Sequence, residues 1–469
     1  MRTHKKMFSL FLATAMSASF LLGCNGESRD DGNQGGDAQK PTEMSQESEK
    51  DNADTNGGLA SCTLNYVSWI GNDVDQAIMD GFMEENPQIN VINRTLDGDT
   101  YSTLLMPMLL NDDAPDVFML KPDMVSSLMK EGYLAPITGT EAIARQKEAM
   151  PSINQALSYN GETYAYCLNN SLGSGIVFYN KKYFETNNLE VPTTQEEFED
   201  LCAKIKELGN TPLAVPAAAT WLAWYPAQNH YVKTLADEGE FGDTFGAEIK
   251  LLEGEIKISD LYRSTFYKMR EYLENGWISE AALGMDFIAG AQFLVDGGAA
   301  MEVSLGGFAS YDVIKEYDGD DFELGAFPLP GIPDENGMRY VASAPDRIIV
   351  ISATSKNPEA ARALYDYFTR EDVLTVYLNE QGLFNSGLDV EVDPVLEYTY
   401  DVVNDTSKYS QELTSMMFLP AGWKTNLNQY AADVYSGANV DELLEKLDAD
   451  FDTAMASVDA QDYLNQLKN

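Results

Sequence analysis

The residues able to do chemistry are few in kind. Of the 2 histidines only His230 lies beyond the apolar leader, and the 4 cysteines are Cys24, Cys62, Cys167 and Cys202. No short spacing links them, so the chain presents no histidine-rich metal site, zinc site or histidine-dependent triad, and no cofactor is implied. A Cys62 to Cys167 bridge stays open in an oxidising exterior, while Cys202, in an amphipathic stretch, reads as a small buried hydrophobe. The acidic turn Asp318, Gly319, Asp320, Asp321 lacks the alternation and closing glutamate of a calcium loop and reads as solvated. The 75 acids leave open a carboxylate pair of the glycosidase kind, but no local motif demands catalysis. What remains is recognition by aromatic faces, amides and carboxylates.

The elements that must position such groups follow from periodicity. Residues 63–70 are strand-like, 74–85 recur at helical spacing until Pro87, and 89–95 form a second strand. Residues 101–110 read as a helix that Pro107 kinks, and 116–120 as a third, apolar strand before a helix opened by Asp123 and ended by Gly132. Strand and helix in alternation with short connections predict a parallel sheet, whose ligands sit beyond the carboxyl ends of the strands. Trp69, Asn72, Asp73, Asp97 and residues 116–121 are the candidates there, although Asp116 also suits a loop-capping role.

The N-terminus has a basic start (Arg2, Lys5, Lys6) and an apolar run over 7–22 that is short for a bilayer span. Leu21-Leu22-Gly23-Cys24 resembles a bacterial lipobox, whose cysteine is acylated and becomes the new first residue; the alternative is an ordinary cleaved signal with an incidental cysteine. Residues 1–23 are then a lipoprotein signal peptide. Residues 24–60, almost without apolar side chains, form a disordered tether. Three of the 31 basic residues leave with the signal and all 75 acids stay, a formal charge of −47. Such a chain does not bind nucleic acid through phosphates and is repelled by anionic head groups, so only lipid would hold it to a membrane.

Three later segments carry a resemblance. IVFYNKKYFETNNLEVPTTQEEFEDLCAKIKELGNTPLAV, FLVDGGAAMEVSLGGF and RIIVISATSKNPEAARALYDYF are similar, in this order, to segments of the extracellular solute-binding proteins of ABC importers, in the family with maltose- and oligosaccharide-binding members. The likeness spans about residues 60–465. It implies an α/β, two-lobed periplasmic-binding-protein-like fold with a ligand cleft between discontinuous lobes, here 61–170 plus 298–366 and 171–297 plus 367–469. The ligand it implies is a carbohydrate, the partners are ABC permease subunits, and the protein is a monomer on the extracytoplasmic face of the cell membrane. The site it implies takes Trp221, Trp224 and Trp423 as stacking faces or core residues, and Phe308 where the family commonly has tryptophan. Asn170, Asp346 and Arg347 would be polar partners beside the crossover, although the last two also suit a surface pair. A surface carbohydrate-active enzyme with paired carboxylates, or an adhesion or sensor protein, is the rival.

Overall fold

The computed structural model describes residues 59–468 apart from 72, 99, 112, 173–174, 240–244, 305–308, 318, 414–418 and 420–422. Cys24, the expected leader and the tether, Asn72 and Phe308 therefore lie outside the described residues.

In chain order the strands are β1 (Cys62–Ser68), β2 (Ile89–Thr95), β3 (Val117–Leu120), β4 (Ser158–Tyr159), β5 (Glu162–Thr163), β6 (Ala165–Cys167), β7 (Asn170–Leu172) and β8 (Ile176–Asn180). Then follow β9 (Thr211–Ala214), β10 (Ala299–Ser304), β11 (Leu324–Pro328), β12 (Arg339–Pro345), β13 (Ile348–Ile351) and β14 (Tyr409–Leu413). One sheet has the order β2-β1-β3-β13-β6, the next β11-β8-β10-β9, and a third, smaller one β14-β12-β7.

In the first sheet β1, β2 and β3 are parallel, as the alternation of strand and helix predicts. β13, returning from far along the chain, adds antiparallel to β3 and β6. Every side chain of β3 is buried: Phe118 and Leu120 join a core with Val67, Tyr101 and Val350, and Val117 and Met119 join one on the other face with Tyr66, Ile349 and Phe368. A strand buried on both faces reads as a continuous apolar run, which is how 117–120 stands out in the sequence.

The second sheet has its own core, in which Val177, Met301 and Val303 meet Phe198, Tyr262, Phe266 and Trp423. The division of lobes at residue 298 would group β10 and β11 with the first sheet, whereas their hydrogen bonds run to β8 and β9. The helix Pro358–Phe368 and the one after it, Glu371–Glu380, place Phe368 and Tyr377 in the first sheet's core. The switch from helix to strand hydrogen bonding is local and legible; strand partners are chosen by long-range packing.

One helix joins the two cores. In Gly246–Glu253, Ala247 and Leu251 pack in the second core, while Phe245 and Ile249 lie against the first. The C-terminal helix Ala460–Lys468 buries Tyr463 and Leu467 in the first core, and Lys468 pairs with Glu253. Lys130, its side chain 9% exposed, meets Asp462 at 3.1 Å and lies over the Tyr463 ring. Cys62, Cys167 and Cys202 are all free thiols, the Cys167 thiol donating to the Asn169 carbonyl at 3.0 Å.

Candidate functional site

The carboxyl ends of β1 and β3 and the start of β13 meet at one place. Trp69, just past β1, is half-buried and holds its ring 4.9 Å from that of Tyr101, edge to face. Lys121, just past β3, has its ammonium 6.0 Å from the Trp69 ring centre and donates to the Gly98 carbonyl at 2.5 Å. Asp346 and Arg347 lie between β12 and β13. Asp346 keeps 32% of its side chain open, and its peptide N–H donates to the Asn169 carbonyl at 3.2 Å. Desolvation raises the Asp346 pKa, with Arg347, Lys121 and Asn169 opposing it.

Arg347 is the buried root of this corner, 6% exposed. Its guanidinium donates to the Tyr377 hydroxyl at 3.0 Å and to Gln381, and its Nε stands 3.9 Å from Asp346. Burial works against its charge, but Tyr377, Asp346 and Asp75 outweigh that and hold its pKa above the ordinary value. Asp75 in turn accepts from the Ser68 hydroxyl at 2.6 Å at the end of β1. Asp346 and Arg347 are thus not a surface pair worth little, but part of a network through the base of the site.

The second sheet contributes Trp221, Trp224 and Tyr225 from short turns after β9. The Tyr225 ring stands 5.8 Å from Trp221 and 5.6 Å from Trp224, edge-on to both. Burial first and then the Asp346 charge push the Tyr225 hydroxyl pKa up, so Tyr225 of the second sheet lies within electrostatic reach of Asp346. Trp224 is half-buried and also packs edge-on against Tyr231 and Tyr262, which makes it the support of the aromatic wall. Lys424 adds a cation whose pKa burial lowers, with Asp123 and Glu248 opposing the shift.

Three expected site residues are elsewhere. Trp423 is 1% exposed and wedged edge-on against Tyr262 and Phe451, so it is core; the apolar contacts of its helix outweigh any display of its ring. Asp116 is at the amino end of β3, opposite the carboxyl ends, where it accepts from the Asn65 N–H at 2.8 Å and the Ser355 hydroxyl at 2.5 Å. Asn170 exchanges hydrogen bonds with Ser386, to its hydroxyl at 2.5 Å and from its N–H at 2.9 Å, and pins the crossing chain. A separate hollow of 1190 Å³ on the outer face of the first sheet is lined by Arg145, Tyr367 and Arg370 among others, but Arg370 is taken by Glu85 and Arg145 by the Thr369 carbonyl.

Against known proteins, a profile of the bacterial extracellular solute-binding proteins matches residues 70–374. The chain belongs to this family. Among curated relatives of this solute-binding protein, an uncharacterized ABC transporter extracellular-binding protein of Pyrococcus horikoshii is 24% identical over 306 residues, 64% of this chain and 66% of that one, just under two thirds of its length. A multiple sugar-binding protein of Streptococcus mutans is 25% identical over 313 residues, 65% of this chain and 70% of that one. Among solved structures, apo RafE of Streptococcus pneumoniae superposes with a TM-score of 0.65 at 22% identity, over 85% of this chain and 99% of that one. RafE in complex with raffinose gives a TM-score of 0.67 over 84% of this chain and 99% of that one, at 22% identity. A chitin oligosaccharide binding protein gives 0.68 at 18% identity, over 85% and 100%. The two sheets of this solute-binding protein are those of a two-lobed α/β fold with the cleft between discontinuous lobes.

Sequence reasoning reached Lys121 only as the last residue of the run 116–121, and did not single out Asp123, Glu248 or Lys424 for the site. The strand-end rule could have found Asp123, which follows β3. No local signal marks Glu248 or Lys424, because their partners come from other parts of the chain.

Proposed function

We propose that this solute-binding protein captures a carbohydrate between its lobes and delivers it unchanged to an ABC importer. The observation that carries this reading is the set Trp69, Lys121 and Asp346 at the strand ends of the first sheet together with the edge-on pair Trp221 and Tyr225 after β9, Tyr225 lying within electrostatic reach of Asp346. A sugar ring offers C–H faces to indoles and hydroxyls to a carboxylate and an ammonium, and a site divided between lobes converts binding into hinge closure. The sugar-binding relatives support the same ligand class. Asp346 is matched by cations, Arg347 and Lys121, which suits hydroxyl binding better than the paired carboxylates of the enzyme reading. We assign one lobe to each large sheet with its helices, and read the protein as a monomer.

Titration calorimetry with raffinose, chitin and xylan oligosaccharides and galactose is expected to find saturable binding without turnover. Trp69→Ala should then weaken the bound sugar about 10- to 100-fold, the loss of one stacking face. Binding of a peptide or metal, with no response to any sugar, would overturn the carbohydrate assignment.

The lipobox-like stretch completes the proposal: acylated Cys24 confines the search for the permease to the membrane surface. Cys24→Ala is expected to release the protein from the membrane fraction into the soluble one and to leave sugar affinity unchanged. Retention in the membrane fraction would refute the anchor.

A further inference from the structure

Resting on the carbohydrate reading, we infer that the ligand of this cleft is a neutral saccharide and not a uronic acid, a sulfated or a phosphorylated sugar. In a chain with 75 acids and 31 bases, a free cation in the cleft would be the handle for an anionic ligand. The cations around the site are already engaged. Lys121 is held by the Gly98 carbonyl and lies within electrostatic reach of Asp346. Arg347 is turned into the base of the lobe, towards Tyr377 and Gln381. Arg94, at the end of β2, pairs with Asp113 at 3.2 Å on the exterior. Lys424 lies in the field of Asp123 and Glu248. The internal positions outside the described residues include no lysine or arginine, so no further cation comes from them.

At the strand ends Asp346 and Asp75 stand against Arg347 and Lys121, so the charges there are already matched. An anionic sugar would bring an unmatched charge into a half-dry site whose charges are already matched, inside the field of a chain with formal charge −44. A cationic sugar finds Asp346 already beside Arg347 and Lys121. What these groups still offer is hydrogen-bonding capacity: the remaining lone pairs of Asp346 and the remaining donors of Lys121, beside the faces of Trp69 and Trp221. That is a set for hydroxyls.

The test compares galacto-oligosaccharides with galacturonate oligosaccharides of the same length, and glucose with glucuronate series, by titration calorimetry on the full-length protein at pH 7.5. The neutral member of a series is expected to bind at least about 100-fold more tightly than its acidic counterpart. Its Kd should change less than about twofold between low and high salt, because no net charge is neutralised on binding. Asp346→Asn, which removes the carboxylate beside Lys121 and Arg347, should narrow the gap between neutral and acidic sugars about tenfold or more. Tighter binding of the acidic member, or a steep salt dependence, overturns the inference while the carbohydrate reading stands. If no sugar of either kind binds, both fall together.

Discussion

Glu302→Gln is expected to be more stable than the native chain at pH 8 and about equal to it near pH 4.5. Glu302, on β10, is 0% exposed, and neither carboxylate oxygen has a hydrogen-bond partner among the described residues. Gly290 of the helix Phe287–Val295 lies beside it: a Cβ there would stand 3.0 Å from Pro216 Cβ and in ordinary contact, 3.5 Å, with Glu302 Oε1. Burial alone pushes its pKa from 4.5 to about 8. Below pH 4.5 both folded and unfolded forms are protonated and stability is full. As pH rises from 4.5 to about 8 the unfolded chain ionises first, so stability is lost progressively across that window and levels off above it. At about 1.4 kcal/mol per pH unit the loss is on the order of 4 kcal/mol. An amide of the same shape removes the titration, so a gain on the order of 2 to 4 kcal/mol should appear at pH 8. Guanidinium denaturation of both proteins at pH 5 and pH 8 decides it: an offset that is the same at both values would show that Glu302 does not titrate with folding.

Arg347→Met should be damaging twice over. Removing the guanidinium leaves Asp346 and Asp75 without their shared cation and the Tyr377 hydroxyl without its partner at 3.0 Å. Breaking a buried pair by deleting one member costs about 3 to 5 kcal/mol; the open third of Asp346 lowers that to about 2 to 4. Released from its orientation, Asp346 should also lose its ligand contacts, so sugar affinity falls along with stability. Arg347→Lys restores charge but not the spread of planar donors, and is expected to recover stability more than affinity. A stability change under about 1 kcal/mol for Arg347→Met would contradict the network.

The first three strands were legible because each is a short apolar run between turn signals, and their parallel order follows from the helices between them. Helix caps are local in the same way: the Thr194 hydroxyl accepts from Glu197 N–H at 3.2 Å, and the Asn439 side chain from Glu442 N–H at 3.2 Å, both within a few residues. The fate of β10 was not. Ala299–Ser304 is apolar enough for the middle of either sheet, and only its neighbours β8 and β9 make it part of the second. Tryptophan behaved likewise: Trp69 and Trp423 look alike in the sequence, but one lies half-open at a strand end and the other is sealed by Tyr262 and Phe451.

By itself the sequence determined the α/β class, the strand-end position of Trp69 and Lys121, and a strongly negative formal charge of −44, because these depend on local periodicity, turn chemistry and composition. Only the tertiary structure decided that Asp346 comes within electrostatic reach of Tyr225, that Arg347 turns inward to Tyr377, and that Asp116 and Asn170 serve the frame instead of the cleft. Those outcomes are contests between burial and hydrogen bonding among residues far apart in the chain, and such contests have no trace in a short stretch of sequence.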